Sequence, residues 1–491
     1  MTSVEAAGIS ASPRETLERE IKLRVGPGFV LPSVPGRRLH PRVFTSTYYD
    51  TNEYRLAGHG ITLRYRQEGV RGAWQLKLPA NDARREIEFS GSRHAPPSAL
   101  TDLLFAHLRG APLQPIAKLR TRRVGVRALD IDRPIAEVVV DSVAVLEGRK
   151  VLRRFSEVEI EQIGDDGAAA VRRIEKSVRK AGAESGDPRP KVLQALDLAW
   201  SGAMTGAPSD APPVEHLKAL VRLQVDRLVR HDPGTRLGTD IEDLHQMRVA
   251  TRRLRAVLRA AGPMLATDWA ESLREELAWL GSALGAVRDM DVLSADLRAE
   301  CASLRALERR VCGRWLAALA REREGKRTEL LRVLTGERYL ALLDRLDAAA
   351  AAPVVTNVAV VLPDLARTAF RKLRDAVRGR GLTGSDAALH RLRIMGKRAR
   401  YAAELAEAVI GTPAARYLRQ LQRFQDVLGQ HQDAVVAEAR LRRLADDASN
   451  TRAMFTLGRL IERQCQRRRS ARAALPDVWG KVKERGQRAL A

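Results

Sequence analysis

Cysteine is scarce: Cys301, Cys312 and Cys465 are the three thiols in 491 residues. They are odd in number and fit no zinc-site spacing, so a reducing compartment is expected. Aromatic residues make up only 4%, which disfavours base stacking as a main mode of binding. Long apolar runs are missing too. The most apolar stretch, 348–362, is interrupted by Pro353, Thr356 and Asn357, so no membrane span is expected. Met1 to Pro13 lacks the basic-then-apolar pattern of a signal peptide. A cytoplasmic location follows as the expectation.

What the chain has in excess is positive charge. Lys and Arg number 85 against 60 Asp and Glu, a net +25. Residues 1–210 hold 33 basic and 26 acidic side chains, net +7, and residues 211–491 hold 52 and 34, net +18. A polyanionic partner for the second half is the natural inference. At this length more than one hydrophobic core is expected. Ser201 to Pro213, rich in Ser, Gly, Ala and Pro, reads as a linker. The expected organisation is a disordered N-terminus over 1–13, a strand-rich domain over 14–200, a linker over 201–212 and a helical domain over 213–491.

Segments such as Ile61 to Arg66, Trp74 to Leu78 and Val158 to Glu161 alternate apolar and charged residues with period two. There are about eight such runs, and Ala168 to Ala183 reads as a helix. The alternation gives each strand one charged face. Glu18, Glu20 and Lys22 share a face, as do Arg64 and Arg66, and Arg84, Glu86 and Glu88. Lys118, Arg120 and Arg122 share another, as do Glu137 and Asp141, and Glu157, Glu159 and Glu161. A single such strand is a solvated surface strand. Several strands with mixed charges point to a closed antiparallel barrel with a charged lumen. Arg and Lys there suit phosphate, and clustered carboxylates beside a polyanion call for a divalent metal, Mg²⁺ or Mn²⁺.

The stretch Glu18-Arg-Glu-Ile-Lys22 resembles the ExExK strand of the CYTH, or triphosphate tunnel metalloenzyme, superfamily. Tyr49-Asp-Thr51, the Leu63 to Arg66 strand, Lys77, the acidic Glu157 to Glu161 strand and Lys191 are similar to further family motifs in the same order. The resemblance implies an eight-stranded tunnel that hydrolyses tripolyphosphate or a nucleoside or thiamine triphosphate. By this resemblance Glu18, Glu20, Glu157 and Glu159 hold metal, with Glu159 and Glu161 as the alternative pair on the last strand. Lys22, Arg64, Arg66, Lys77, Arg120 and Lys191 hold phosphate, the Arg-rich run from Lys118 to Arg123 leaving the ligand on that strand open. Asp141 supports the metal or orients water.

Residues from Val214 onward read as long helices with an internal repeat. Leu244-His-Gln-Met-Arg matches Leu389-His-Arg-Leu-Arg at an offset of 145, and Leu284-Gly-Ala-Val-Arg-Asp289 matches Leu428-Gly-Gln-His-Gln-Asp433 at 144. Repeats of about 213–350 and 358–491 are expected. His245, Arg248, Arg252 and Arg255 fall on one helical stripe, and His390, Arg393, Lys397 and Arg400 repeat the spacing. With no acidic residue seen on either stripe, a bound polyanion is favoured over a solvated face. This half resembles the CHAD domain, which implies two helical bundles and a basic groove for inorganic polyphosphate, with Arg288 and Tyr401 beside it. The expected fold class is therefore an α+β tunnel domain followed by an all-α domain. The leading function is metal-dependent triphosphate hydrolysis. A non-catalytic protein of polyphosphate granules and an adenylyl cyclase acting on ATP are the alternatives, and nucleic acid is the weakest partner.

Overall fold

Residues 14–80, 83–164, 167–187, 189–198, 206–446 and 451–490 are described by the computed structural model. The expected disordered segment 1–13 and residues 201–205 of the expected linker lie outside the described residues. The chain divides into two units, Met1–Ala203 and Met204–Ala491.

In the first unit the alternating segments form β1 (Arg14–Glu18), β2 (Glu20–Val25), β3 (Gly36–Arg38), β4 (Arg42–Asp50), β5 (Thr62–Glu68), β6 (Arg71–Ala80), β7 (Ala83–Phe89), β8 (Gln114–Asp130), β9 (Arg133–Glu147), β10 (Lys150–Gln162) and β11 (Glu184–Ser185). They make one antiparallel sheet in the order β1-β7-β6-β5-β4-β8-β9-β10-β2-β11, with β3 on β8. Eleven strands stand where eight were expected. Two of the additions, β3 and β11, are only three and two residues long, and the third arises because Arg19 splits the first strand. Since β1 pairs with β7 and β2 pairs with β10, consecutive pieces of chain join both ends of the sheet and close it.

The closed sheet places its apolar residues outward. Leu23, Val138, Val140, Val158 and Ile160 are buried under the helix Ala168–Lys180 through Val171 and Val178. Each such burial contributes roughly 1.5–3 kcal/mol. At one end the inner face is also apolar: Tyr48, Leu119, Val143 and Val145 receive Val192 and Leu193 of the short helix Lys191–Leu196. That seat fixes Lys191, the first residue of the helix, at the end of the lumen.

The second unit is helical. Helices Ile241–Ala260, Thr267–Ala302 and Ala306–Leu334 are followed by Asp386–Leu405, Thr412–Asp446 and Thr451–Ala489, each starting 145 residues further on. The Ile241 helix is capped by Asp240, whose carboxylate accepts from Glu242 N at 2.8 Å. The Asp386 helix is capped by Ser385, whose hydroxyl accepts from Ala388 N at 3.3 Å. Each cap satisfies an N–H that the first helical turn leaves open. The expectation of reduced thiols fails for two of the three: Cys301 and Cys312 form a disulfide, because the turn between their helices brings their Cα atoms to 6.4 Å. Among the described residues no helix is long and apolar enough to cross a membrane.

Candidate functional site

The inner face of the sheet surrounds a cavity of about 360 Å³. Glu18 lines it from β1, Glu20 and Lys22 from β2, Arg64 and Arg66 from β5, Lys77 from β6, and Arg84, Glu86 and Glu88 from β7. Arg14, Arg42, Arg123, Glu137, Glu159, Glu161 and Lys191 complete the charged wall, and Phe44, Ser46 and Tyr48 contribute from β4.

Opposite charges are matched within this space. Lys77 Nζ donates to Glu18 and lies 2.8 Å from Glu86 Oε2. Burial works to raise the Glu86 pKa, yet Lys77 and Arg64 outweigh it and hold it at about 2. Lys22 sits 3.0 Å from Glu20. Arg123 donates to both oxygens of Asp141, at 2.8 and 2.7 Å, and to Glu159 at 2.6 Å. Lys191 Nζ donates to Asp141 and lies 3.0 Å from Glu157 and 3.1 Å from Glu159. Burial opposes charge on Lys191, but Glu159, Glu157 and Asp141 more than offset it and raise its pKa.

Not every polar group here is satisfied. Arg66 Nη2 lies 4.0 Å from Glu68 Oε2 and, like Arg84 Nε, is buried without a hydrogen-bond partner. Burial, followed by repulsion from Arg64, Arg123 and Arg42, lowers the Arg66 pKa to about 10. A bound anion would relieve that crowding. On the acidic side, burial, then the charges of Glu18, Glu137 and Glu159, push Glu161 up to about 7. A separate buried group, Asp141, Glu157 and Glu159, offers carboxylate oxygens within 4.8 Å of one another and could hold a metal ion; there the Lys191 ammonium already provides the counter-charge.

In the helical unit the two stripes converge. The Ile241 and Asp386 helices pack on each other. Lys397 is lowered to about 8 by burial and then by Arg393, Arg252 and Arg248, that is, by residues of both helices. The duplicated Leu-Gly segments explain part of this placement. A side chain at Gly285 would meet the Arg248 guanidinium, and one at Gly429 would meet that of Arg393, each within 4.0 Å. These are ordinary van der Waals distances, so each stripe arginine passes close over the glycine of its own repeat.

The CYTH domain model matches residues 16–190 and the CHAD domain model matches residues 219–442. The Mycobacterium tuberculosis protein Rv2226 is 30% identical over 494 residues, covering 92% of this chain and 93% of its own. The chain belongs to this CYTH–CHAD family. Among solved structures, the CHAD domain from the plant Ricinus communis is 27% identical, covering 57% of this chain and 95% of that one at a TM-score of 0.46. A Hippeastrum protein, described as a putative adenylyl cyclase with a dominant triphosphatase activity, is 12% identical, covering 38% and 97% at 0.25.

Within the CYTH domain the structure gathers Glu18, Glu20, Lys22, Arg64, Arg66, Lys77, Glu159, Glu161 and Lys191 around one lumen. It does not place Lys118 and Arg120 there. Both are exposed on the outer face, because the inward parity of β8 is Leu119, Thr121 and Arg123. Arg123 is the cation that strand contributes. Asp141 and Glu157 are buried beneath the lining, held by Arg123 and Lys191. Lys191 is correspondingly occupied by carboxylates rather than free for phosphate. Asp50, in the Tyr-Asp-Thr segment, has a structural role: its carboxylate accepts from Thr51, Leu56 and Ala57 N at 2.7, 2.9 and 2.9 Å.

Within the CHAD domain, acidic residues do meet the stripes. Arg400 donates to Glu404, one turn further on its own helix, at 2.8 Å, and also to Gln422. Arg248 bonds Asp289 at 2.9 Å. His390 bonds Gln432 at 2.9 Å. Burial and then Arg288 lower the His245 pKa, so that histidine offers hydrogen bonds rather than extra charge. Arg252, Arg255, Lys397 and Tyr401 line a common pocket, and Arg255 Nε is buried without a partner.

Proposed function

We propose that the CYTH domain hydrolyses a short phosphate chain, tripolyphosphate or a related triphosphate, and that the CHAD domain holds inorganic polyphosphate. The observation that carries the first part is the lumen, which holds both buried guanidinium N–H groups without hydrogen-bond partners and a set of carboxylates. An all-oxygen donor set suits Mg²⁺ or Mn²⁺. Glu161, raised by burial and like charge that Lys77 only partly offsets, lines the lumen together with Glu18, Glu20 and Glu159, and these four would hold the metal. When bound, the metal would offset charge on the phosphate oxygens and the leaving group. The chain's own groups do the rest. Arg66 and Arg84 neutralise and orient the phosphates through their open N–H groups, with Arg64 and Lys77 beside them. Arg123 and Lys191 fix the acidic floor so that Glu159 is presented towards the lumen. Lys22 holds Glu20 in place. Water is consumed, and tripolyphosphate yields pyrophosphate and orthophosphate.

The duplicated helices and their converging stripes support two bundles around one cationic face. Tunnel and stripes together favour cytoplasmic action on phosphate chains, including granular polyphosphate.

The test is a panel of tripolyphosphate, ATP, thiamine triphosphate and long polyphosphate, each with Mg²⁺ and with Mn²⁺. Phosphate release is expected from at least one, and should fall at least about 100-fold in Glu18→Gln. Cyclic AMP from ATP without phosphate release from any substrate would replace hydrolysis with cyclase chemistry.

A further inference from the structure

Beside the stripes lies a second cavity, of about 900 Å³, whose lining is entirely within the helical unit. Arg252, Arg255 and Arg259 enter it from the Ile241 helix, Lys397 and Arg398 from the Asp386 helix, and Lys372 from the helix Leu362–Arg380. Among the described residues these six have no ion-pair partner, and no carboxylate is among the lining residues. Arg274 adds a seventh cation. It is 9% exposed, its Nη1 donates to Glu271, and its Nε is buried with no partner, as is Arg255 Nε. The cations crowd one another: after burial, Arg274, Arg398 and Arg255 depress the Arg259 pKa.

Charge alone does not describe this cavity. Leu365, Ala369, Ile394 and Ala402 give it apolar wall, and Tyr401 brings an aromatic ring with a hydroxyl. Ile394 is 38% exposed despite its size. An inorganic phosphate chain has no apolar surface and would leave that wall wet. A ligand that carries both a flat apolar group and several phosphates would cover the wall and satisfy the open N–H groups together. The volume lies within the roughly 300–1,000 Å³ of ordinary small-ligand pockets.

We propose that this pocket is a nucleoside oligophosphate site. The phosphates lie on Arg252, Arg255, Arg274 and Lys397, and the base lies against Leu365, Ala369 and Ile394 beside Tyr401. The inference rests on the reading that the helical domain binds phosphate chains, and it adds recognition of the base. It makes the CHAD domain a sensor of nucleotide as well as a holder of polyphosphate.

The test uses the full chain in EDTA, so that metal-dependent hydrolysis is off. The probe is 8-azido-ATP, photolysed and mapped by mass spectrometry. Label is expected in peptides from 362–402, and ATP should displace it at roughly tenfold lower concentration than tripolyphosphate, the difference being the buried base. Ile394→Glu should remove label from these peptides while any label in the tunnel peptides stays. Absence of label in 362–402, or equal displacement by ATP and tripolyphosphate, would overturn the proposal. If long polyphosphate still binds the chain in that case, the polyphosphate reading stands without it. If polyphosphate does not bind either, both fall.

Discussion

The two halves of this chain hold cations in opposite ways. In the tunnel several positive groups have carboxylates beside them: Lys77 has Glu18 and Glu86, Arg123 has Asp141 and Glu159, and Lys191 has three acids. In the helical half the stripe is largely unmatched, and Lys397 is depressed to about 8 by burial and by arginines from two helices. A balanced site can be buried, because each ion compensates its neighbour's lost hydration. It keeps both signs in place, which suits chemistry that needs phosphate and metal together. An unbalanced site stays open to solvent and stores repulsion that only a polyanion relieves. On the function proposed above, mixed charge marks the place of reaction, and single-sign charge marks the place of capture.

That contrast can be broken first inside the tunnel. Arg66→Gln removes an inward cation with an open N–H, and tripolyphosphate turnover should fall about 10- to 100-fold. Arg120→Gln removes a cation of the same type from the outer face, and turnover should stay within about twofold. Equal losses in the two variants would mean that charge, not lumen geometry, governs the rate. The stripes come next. Replacing Arg248, Arg252, Arg393 and Lys397 by Gln should weaken long-polyphosphate binding by about 10-fold or more at low salt, with a shallower salt dependence. The control is Arg310, Arg314, Arg321 and Lys326→Gln, all exposed on the Ala306–Leu334 helix. A control variant that loses as much affinity would make the binding diffuse.

The smallest effect is on pH. A bound polyanion raises the Lys397 pKa from its depressed value of about 8, so binding takes up a proton once the free lysine is neutral. Polyphosphate affinity should therefore fall severalfold as pH rises from 7 to 9, with most of the loss above 8. Lys397→Arg, which stays charged, should flatten that profile. An unchanged profile would remove Lys397 from the contact.

Much of this arrangement is legible in the sequence, because a strand's period of two assigns faces wherever charge alternates cleanly. Glu18, Glu20 and Lys22, Arg64 and Arg66, and Glu157 to Glu161 are such cases, and the duplicated His-x-x-Arg spacing likewise fixes the helical stripes. The β8 strand is the instructive exception. Lys118, Arg120 and Arg122 have one parity and Arg123 the other, so charge could not choose the inward face. The uncharged Leu119 and Thr121 share the inward parity, and Leu119 packs there against Val143, Val145 and Val192. Long-range pairing is equally hidden. Nothing local to Lys191 announces Asp141, and nothing near Gly285 or Gly429 announces the arginine passing over it. Glu404 lies one turn from Arg400 and was open to the same helical spacing that found the stripe. Arg259, Arg274, Lys372 and Arg398 could not be grouped from spacing, because four helices bring them to the same pocket.

The most direct test of the division between reaction and capture is one measurement on two full-length variants. Compare metal-dependent phosphate release from tripolyphosphate in Glu20→Gln and in the four-residue stripe variant. The account predicts at least about 100-fold loss in the first and turnover within about twofold of the unaltered chain in the second. Retained hydrolysis in Glu20→Gln, or its loss in the stripe variant, would contradict it.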